Sequence, residues 1–209
     1  MAAMAARSIA PRGKKRKILD GAMEAFLSEG YAGTSMDRVA AIAGVSKATV
    51  YSHFQSKESL FAALVDELAH SKFPQMFDET LLAAEPSQFL RHLAEVFVFE
   101  VGCDREHIDF VRLIMAESAR FPELAEVFIR TFAQRGCGAL AAYFEAHPEL
   151  EIDDPEATAR IFIGSLVHFN ITQEMLGGKH LVPMDPHRVI NTLLGLILGP
   201  YLARLEASH

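Results

Sequence analysis

The chain of 209 residues is poor in the features that mark secreted, membrane-spanning, β-rich or catalytic proteins. It has two cysteines, Cys103 and Cys137, far apart and matching no ligand or redox spacing. They read as reduced packing residues of a cytoplasmic protein. The longest apolar run, 193–203, is too short to span a bilayer and is broken by Gly195, Gly199 and Pro200. The small apolar residues at the start precede the basic run 12–17, the reverse of a secretory signal. Only 22% of residues are charged and half are hydrophobic, so a disordered chain is not expected. Alternating strand patterns of useful length are missing. The nine histidines are scattered, with no His-Glu-x-x-His, no Gly-x-Ser-x-Gly and no P-loop. No cofactor, no metal and no catalytic residue is therefore expected.

What remains is helix and an uneven charge. Up to Lys57 there are nine Lys and Arg against four Asp and Glu; from Glu58 onward there are eleven against twenty-three. A basic first quarter on an acidic chain suggests that one end meets a polyanion. The apolar period predicts an all-α fold of about nine helices. The first runs over 14–29 on a stripe of Ile18, Leu19, Ala22, Ala25 and Phe26 and stops at Gly30. Thr34 or Ser35 caps a second through Ala43, Ser46 starts a third that ends near His53, and Ser56 caps a long fourth that Pro74 interrupts or ends. Later starts are marked by Pro86, Arg105, Pro122, Asp154-Pro155 and Asp185-Pro186, and a stop by Gly177-Gly178. The domain boundary is placed in the fourth helix, where the charge changes sign. It separates a 1–65 unit with a basic arm, 11–17, from a 66–209 helical bundle.

Ala40, Gly44 and Val50 point to two short helices crossing closely through a tight turn, the physics of a helix-turn-helix. Val45, Val50 and Phe54 face inward on the third helix. Ser46, Lys47, Thr49, Tyr51 and His53 are left on its other side, a set of donors and acceptors that suits base edges and phosphates. At this level a solvated surface helix, an adaptor acting through protein contacts and a helical enzyme all stay open.

The stretch 30–60 carries Gly30-Tyr31, Thr34-Ser35, Val39-Ala40, Ala43-Gly44-Val45-Ser46, Tyr51, His53-Phe54, Ser56-Lys57-Glu58 and Leu60 in order. It closely resembles the DNA-binding domain of the TetR/AcrR family of transcriptional regulators. The stretch 112–128 looks like the C-terminal domain of the AefR-like branch. The resemblance implies a homodimeric, ligand-responsive regulator, a repressor, that binds double-stranded operator DNA at two half-sites. It implies Thr34, Ser35, Ser46, Lys47, Thr49, Tyr51, His53 and Lys57 at the DNA, with Tyr51 and Lys57 on the backbone. Ala48 stands where members often carry Gly.

Twelve of the fifteen phenylalanines fall at or after residue 62. They either close a core or line the apolar effector cavity that the resemblance implies. The candidates are Phe97, Phe110, Ile114, Phe128, Phe132 and Phe169, with Glu117, His168, Asn170 and Thr172 as polar groups to orient a small molecule. The last two long helices are apolar around much of their circumference and need a second partner as well as their own core. Phe162, Leu194, Leu198 and Tyr201 are expected at a subunit contact, with Ile161, Gly164, Ser165 and His168 allowing close approach.

Overall fold

The computed structural model describes residues 13–207, and the expected basic arm lies outside them up to residue 12. Among the described residues all regular structure is helical. None of their helices is long and apolar enough to cross a membrane. The chain forms two units, divided between Leu64 and Val65.

The smaller unit is built from α1 (Lys14–Gly33), α2 (Met36–Ala43), α3 (Lys47–His53) and the first turns of α4 (Lys57–Met76). Ile18, Leu19, Ala22 and Phe26 of α1 are buried with Val39, Val50, Leu60 and Phe61. Gly30 breaks α1 as expected, at φ 72°, but the chain takes up helix again through Gly33. That extra turn seats Tyr31, 1% exposed, between Phe26 and Phe61, with ring centroids 5.5 Å from each. Ser35 and Ser46 cap α2 and α3 by accepting the backbone N–H of Arg38 and Thr49. At the start of α4, Ser56 and Ser59 exchange side-chain and backbone hydrogen bonds reciprocally.

Gly21 marks a close approach that sequence reasoning passed over. A Cβ there would lie 2.9 Å from the backbone nitrogen of Ala43, so α1 meets the end of α2 at a distance only glycine permits.

In the larger unit, α4 is followed by a short turn of helix, α5 (Glu79–Leu82), then α6 (Pro86–Glu95), α7 (Arg105–Glu117), α8 (Pro122–Phe128), α9 (Arg135–Ala146), α10 (Pro155–Asn170) and α11 (Pro186–Ala207). Pro74 does not end α4 at once; the helix carries on to Met76. Asp104 and Asp154 cap α7 and α10. Among the described residues three π turns occur: at the end of α6 over Val96–Val101, at the α8–α9 junction over Ile129–Gln134, and at the end of α10 over Ile171–Met175. The core joins α6, α9, α10 and α11 through Phe89, Leu90, Leu140, Phe144, Leu166 and Ile190.

The expected subunit face is corrected here. Phe162, Leu194 and Leu198 are 0%, 6% and 1% exposed and belong to the chain's own core. Tyr201 is partly buried against that core and donates its hydroxyl to Glu85. The reason is register: Ile190, Leu193, Leu194, Ile197 and Leu198 fall on one stripe of α11. The opposite side carries Leu196, 75% exposed, and Leu202.

Valine at position 21 would drive side-chain atoms into the Ala43 backbone. Its small gain in helix propensity, about 0.4 kcal/mol, does not offset an overpacking cost of about 1–3 kcal/mol. Urea unfolding of Gly21→Val should therefore give a lower midpoint with an unchanged slope.

Candidate functional site

Two features carry possible chemistry, one in each unit. In the smaller unit, α2 ends at Gly44 in the left-handed conformation, φ 64° and ψ 36°. The Gly44 N–H donates to the Ala41 carbonyl and the Val45 N–H to the Ala40 carbonyl, a closed Schellman turn. This turn sends α3 off with Val50 and Phe54 buried. Ser46, Lys47, Tyr51 and His53 are exposed on its other side, with Thr49 half-buried and Ser35 exposed at the head of α2.

That face is partly organised before any partner arrives. The Ser46 and Thr49 hydroxyl oxygens are 2.9 Å apart. The Lys47 ammonium lies 2.8 Å from the Asp37 carboxylate and 5.8 Å from the Tyr51 ring centre. The Asp37 hydrogen bond, then its charge, raises the Lys47 pKa above the usual lysine range, so the ammonium stays charged.

Two expected DNA contacts have other work. Thr34 is 3% exposed, and its hydroxyl donates to the carbonyls of Ala25 and Gly30. The Lys57 ammonium donates to the carbonyls of Tyr31 (2.7 Å) and Thr34 (3.0 Å) and sits 4.4 Å from the Tyr31 ring centre. Both side chains bond carbonyls around the broken end of α1, where the Gly30 carbonyl also accepts the Thr34 backbone N–H.

The larger unit holds a partly open cavity of about 350 Å³. Its wall is made by Phe73 and Met76 of α4 with Phe77 just after it, by α6, α7 and α10, and by the α8–α9 junction. All three π turns contribute to it: Phe97 and Val101, Phe132 and Ala133, Ile171 and Met175. Of the expected ligand residues, Phe97, Phe128, Phe132 and Asn170 lie in the wall. Phe110, Ile114 and Phe169 are buried but outside it, because they sit on the core-facing sides of α7 and α10. Glu117 and Thr172 are half-buried and outside it, and His168 is exposed. Thr172 donates its hydroxyl back to the His168 and Phe169 carbonyls.

Sequence reasoning missed Phe73, Phe77 and His107. Phe73 lies in the last turn of α4 and Phe77 just beyond it, where Pro74 made the chain look like a helix end. His107 had one signal, its place three residues after the cap Asp104, whose carboxylate accepts its backbone N–H.

His107 is 9% exposed, its Nδ1 has no partner among the described residues, and its ring meets the Phe132 ring with centroids 5.8 Å apart. Burial first, and the Lys72 charge second, push its pKa down to about 4; Asp104 pulls weakly the other way. Lys72 and Asp104 form an ion pair at 2.7 Å. Burial would raise the Asp104 pKa, but its hydrogen bonds from Lys72 and the His107 backbone outweigh that and hold it low.

A helix-turn-helix with a polar, exposed second helix, in a chain whose larger all-helical unit holds an apolar cavity, is the arrangement of a DNA-binding transcriptional regulator. Comparison with known proteins supplies the family. Residues 18–64 match the bacterial regulatory proteins of the tetR family, and residues 88–203 match the C-terminal domain of AefR-like transcriptional repressors. The chain belongs to the TetR family of transcriptional regulators. YhgD of Bacillus subtilis, an uncharacterised HTH-type transcriptional regulator, is 28% identical over 157 residues, 72% of this chain and 78% of YhgD. The solved structure of the flavonoid-responsive regulator FrrA superposes with a TM-score of 0.74 at 31% identity, covering 90% of this chain and 96% of FrrA. A TetR-family regulator from Mesorhizobium loti gives 0.70 at 27% identity, covering 91% and 95%.

The buried imidazole predicts an acid-sensitive fold. Below pH 6.5, the ordinary value, the unfolded chain binds a proton that folded His107 refuses down to about pH 4. Stability present at neutral pH should fall across that window, by up to about 3 kcal/mol from this group. Asp104, with its low pKa, adds its own loss only below the usual carboxylate range. Urea unfolding at pH 7.5, 5.5 and 4.5 measures the slope, and His107→Phe should flatten it.

Proposed function

We propose that the protein is a homodimeric, cytoplasmic repressor that leaves its operator when a small, largely apolar molecule enters the cavity of the larger unit. The observation that carries this reading is the cavity itself: a chamber of about 350 Å³ lined almost wholly by apolar side chains. A well-packed core leaves no such void, whereas a binding site needs one. FrrA, named as flavonoid-responsive, lends support as a relative that answers to a small molecule.

In this reading α3 enters the major groove. Ser46, Thr49 and His53 offer hydrogen bonds to base edges, and Ser35, Lys47 and Tyr51 hold the backbone. Dimers place two such helices in successive grooves about 34 Å apart. The ligand favours a dimer arrangement in which that spacing no longer fits. Among the described residues, the subunit contact is best served by the outward faces of α10 and α11. These carry Ile161, 63% exposed, Leu196 and Leu202, with Gly164, Gly195 and Gly199 clear enough for close helix approach.

The direct test is a gel shift on the DNA upstream of the protein's own gene, with a salt titration. Lys47 has to exchange Asp37 for a phosphate. Lys47→Ala should weaken binding to all sequences and make the log–log salt slope shallower by about one unit in each subunit, the share of one neutralised phosphate. An unchanged slope with unchanged affinity removes Lys47 from the interface.

The dimer face is tested separately. Leu196→Asp places a charge on an exposed side chain, so the fold should survive while light scattering reports monomers and operator affinity is lost. An intact dimer would move the subunit interface elsewhere.

A further inference from the structure

The chamber offers a ligand carbon and almost nothing else. Among the described residues its wall has two polar side chains, Asn170 and His107. Asn170 spends its amide Nδ2 on the Phe97 carbonyl at 3.1 Å, and its Oδ1 is buried out of reach of the chamber. His107 Nδ1 is buried in the same way. Burial also keeps the imidazole neutral at neutral pH, its pKa pushed down to about 4.

No fixed charge makes up for this. Among the described residues, no Lys, Arg, Asp or Glu lies in the wall. The charges that flank it are engaged elsewhere. Lys72, next to Phe73, pairs with Asp104 at 2.7 Å. Arg112 pairs with Asp109 at 2.6 Å and also donates to the Met175 carbonyl. Arg135 is exposed and lies over the Phe73 ring, 4.6 Å from its centre, outside the wall. The wall residues that reach solvent, Met115, Ala133 and Val167, are apolar too. An ionised group on a ligand would therefore lose water and gain no counter-ion, whether deep in the chamber or against its rim.

What the wall does offer is rings. Phe77, Phe73, Phe132 and Phe128 run side by side, with centroids 5.9, 6.0 and 4.9 Å apart in turn. That surface suits a planar ring system. Gly136 of α9 leaves space beside it. A Cβ there would meet Ile163 Cδ1 and the Phe73 ring at 3.9 Å, an ordinary contact, and both neighbours belong to the wall. The glycine is thus not needed for packing, and a longer side chain at this position takes up room that a ligand would use.

Building on the reading of this chamber as the effector site, we propose that it selects against charge: it takes neutral aromatic compounds and turns away carboxylates and ammonium ions of the same shape, with Gly136 setting the room they find. Discrimination comes from the desolvation of the ion and requires no hydrogen bond from the wall.

Three probes of one shape test this by calorimetry on the full-length protein at pH 7.5: 1-methylnaphthalene, 1-naphthoate and protonated 1-(aminomethyl)naphthalene. The hydrocarbon should bind at least about tenfold more tightly than either ion, a difference that calorimetry resolves. Gly136→Leu, checked for retained helicity, should weaken the hydrocarbon by at least about tenfold as its side chain fills the chamber. Ala133→Phe, at an exposed wall position, serves if the leucine variant does not fold. Either ion binding as tightly as the hydrocarbon overturns the selection against charge and leaves the chamber as an effector site. Hydrocarbon binding that survives the filled chamber unchanged, or binding of none of the three probes, overturns both.

Discussion

A helix that ends or widens inside a protein leaves main-chain carbonyls that must find another partner, and this constraint runs through both units. In the smaller one, Gly30 breaks α1 and exposes the carbonyls around it. Thr34 takes two of them with its hydroxyl, and Lys57 reaches from the head of α4 to take two more. Tyr31 is pinned between these groups and the rings of Phe26 and Phe61. The Schellman turn at Gly44 does the same work for α2, and in doing so sets the direction in which α3 leaves. The exposed polar face of α3 is thus a consequence of how two helix ends are closed.

The same constraint explains the cavity. Each π turn inserts an extra residue into a helix and re-aims the side chains of that turn. Among the described residues three of them occur in the larger unit, and all three feed the chamber wall. The Phe97 carbonyl, which already accepts the Gly102 N–H across the first of them, also receives the Asn170 amide. The chamber therefore exists where regular helical packing is interrupted. Asn170 sits in that wall with its amide held to this carbonyl as a second donor.

Much of the smaller unit was legible from local signals. Ser35, Ser46 and Gly44 announce themselves because caps and left-handed turns demand particular residue types at particular positions. The inward set of Val50 and Phe54 follows from a short helical period. The bonds that Thr34 and Lys57 make within the chain were not legible because their partners are carbonyls, which every residue carries and no sequence pattern marks. Gly21 was overlooked because its neighbour, Ala43, is brought to it only by folding.

In the larger unit the sequence by itself determined an all-helical bundle with prolines and aspartates at its helix starts, since period and caps are local properties. It also showed that α11 has more apolar surface than one core face can take. Only the tertiary structure decided which side of α11 is which: Leu194 and Leu198 turn inward and Leu196 outward, because the partners on α6 and α10 fix the rotation of the helix about its axis. It likewise decided that Phe132 and Phe128 border a void while Phe110 and Phe169 fill the core, and that His107 and Asn170 share the wall of one cavity. A phenylalanine reads the same in a packed core and in a cavity wall. What separates them is whether neighbouring helices close on it, and that depends on the path of the whole chain.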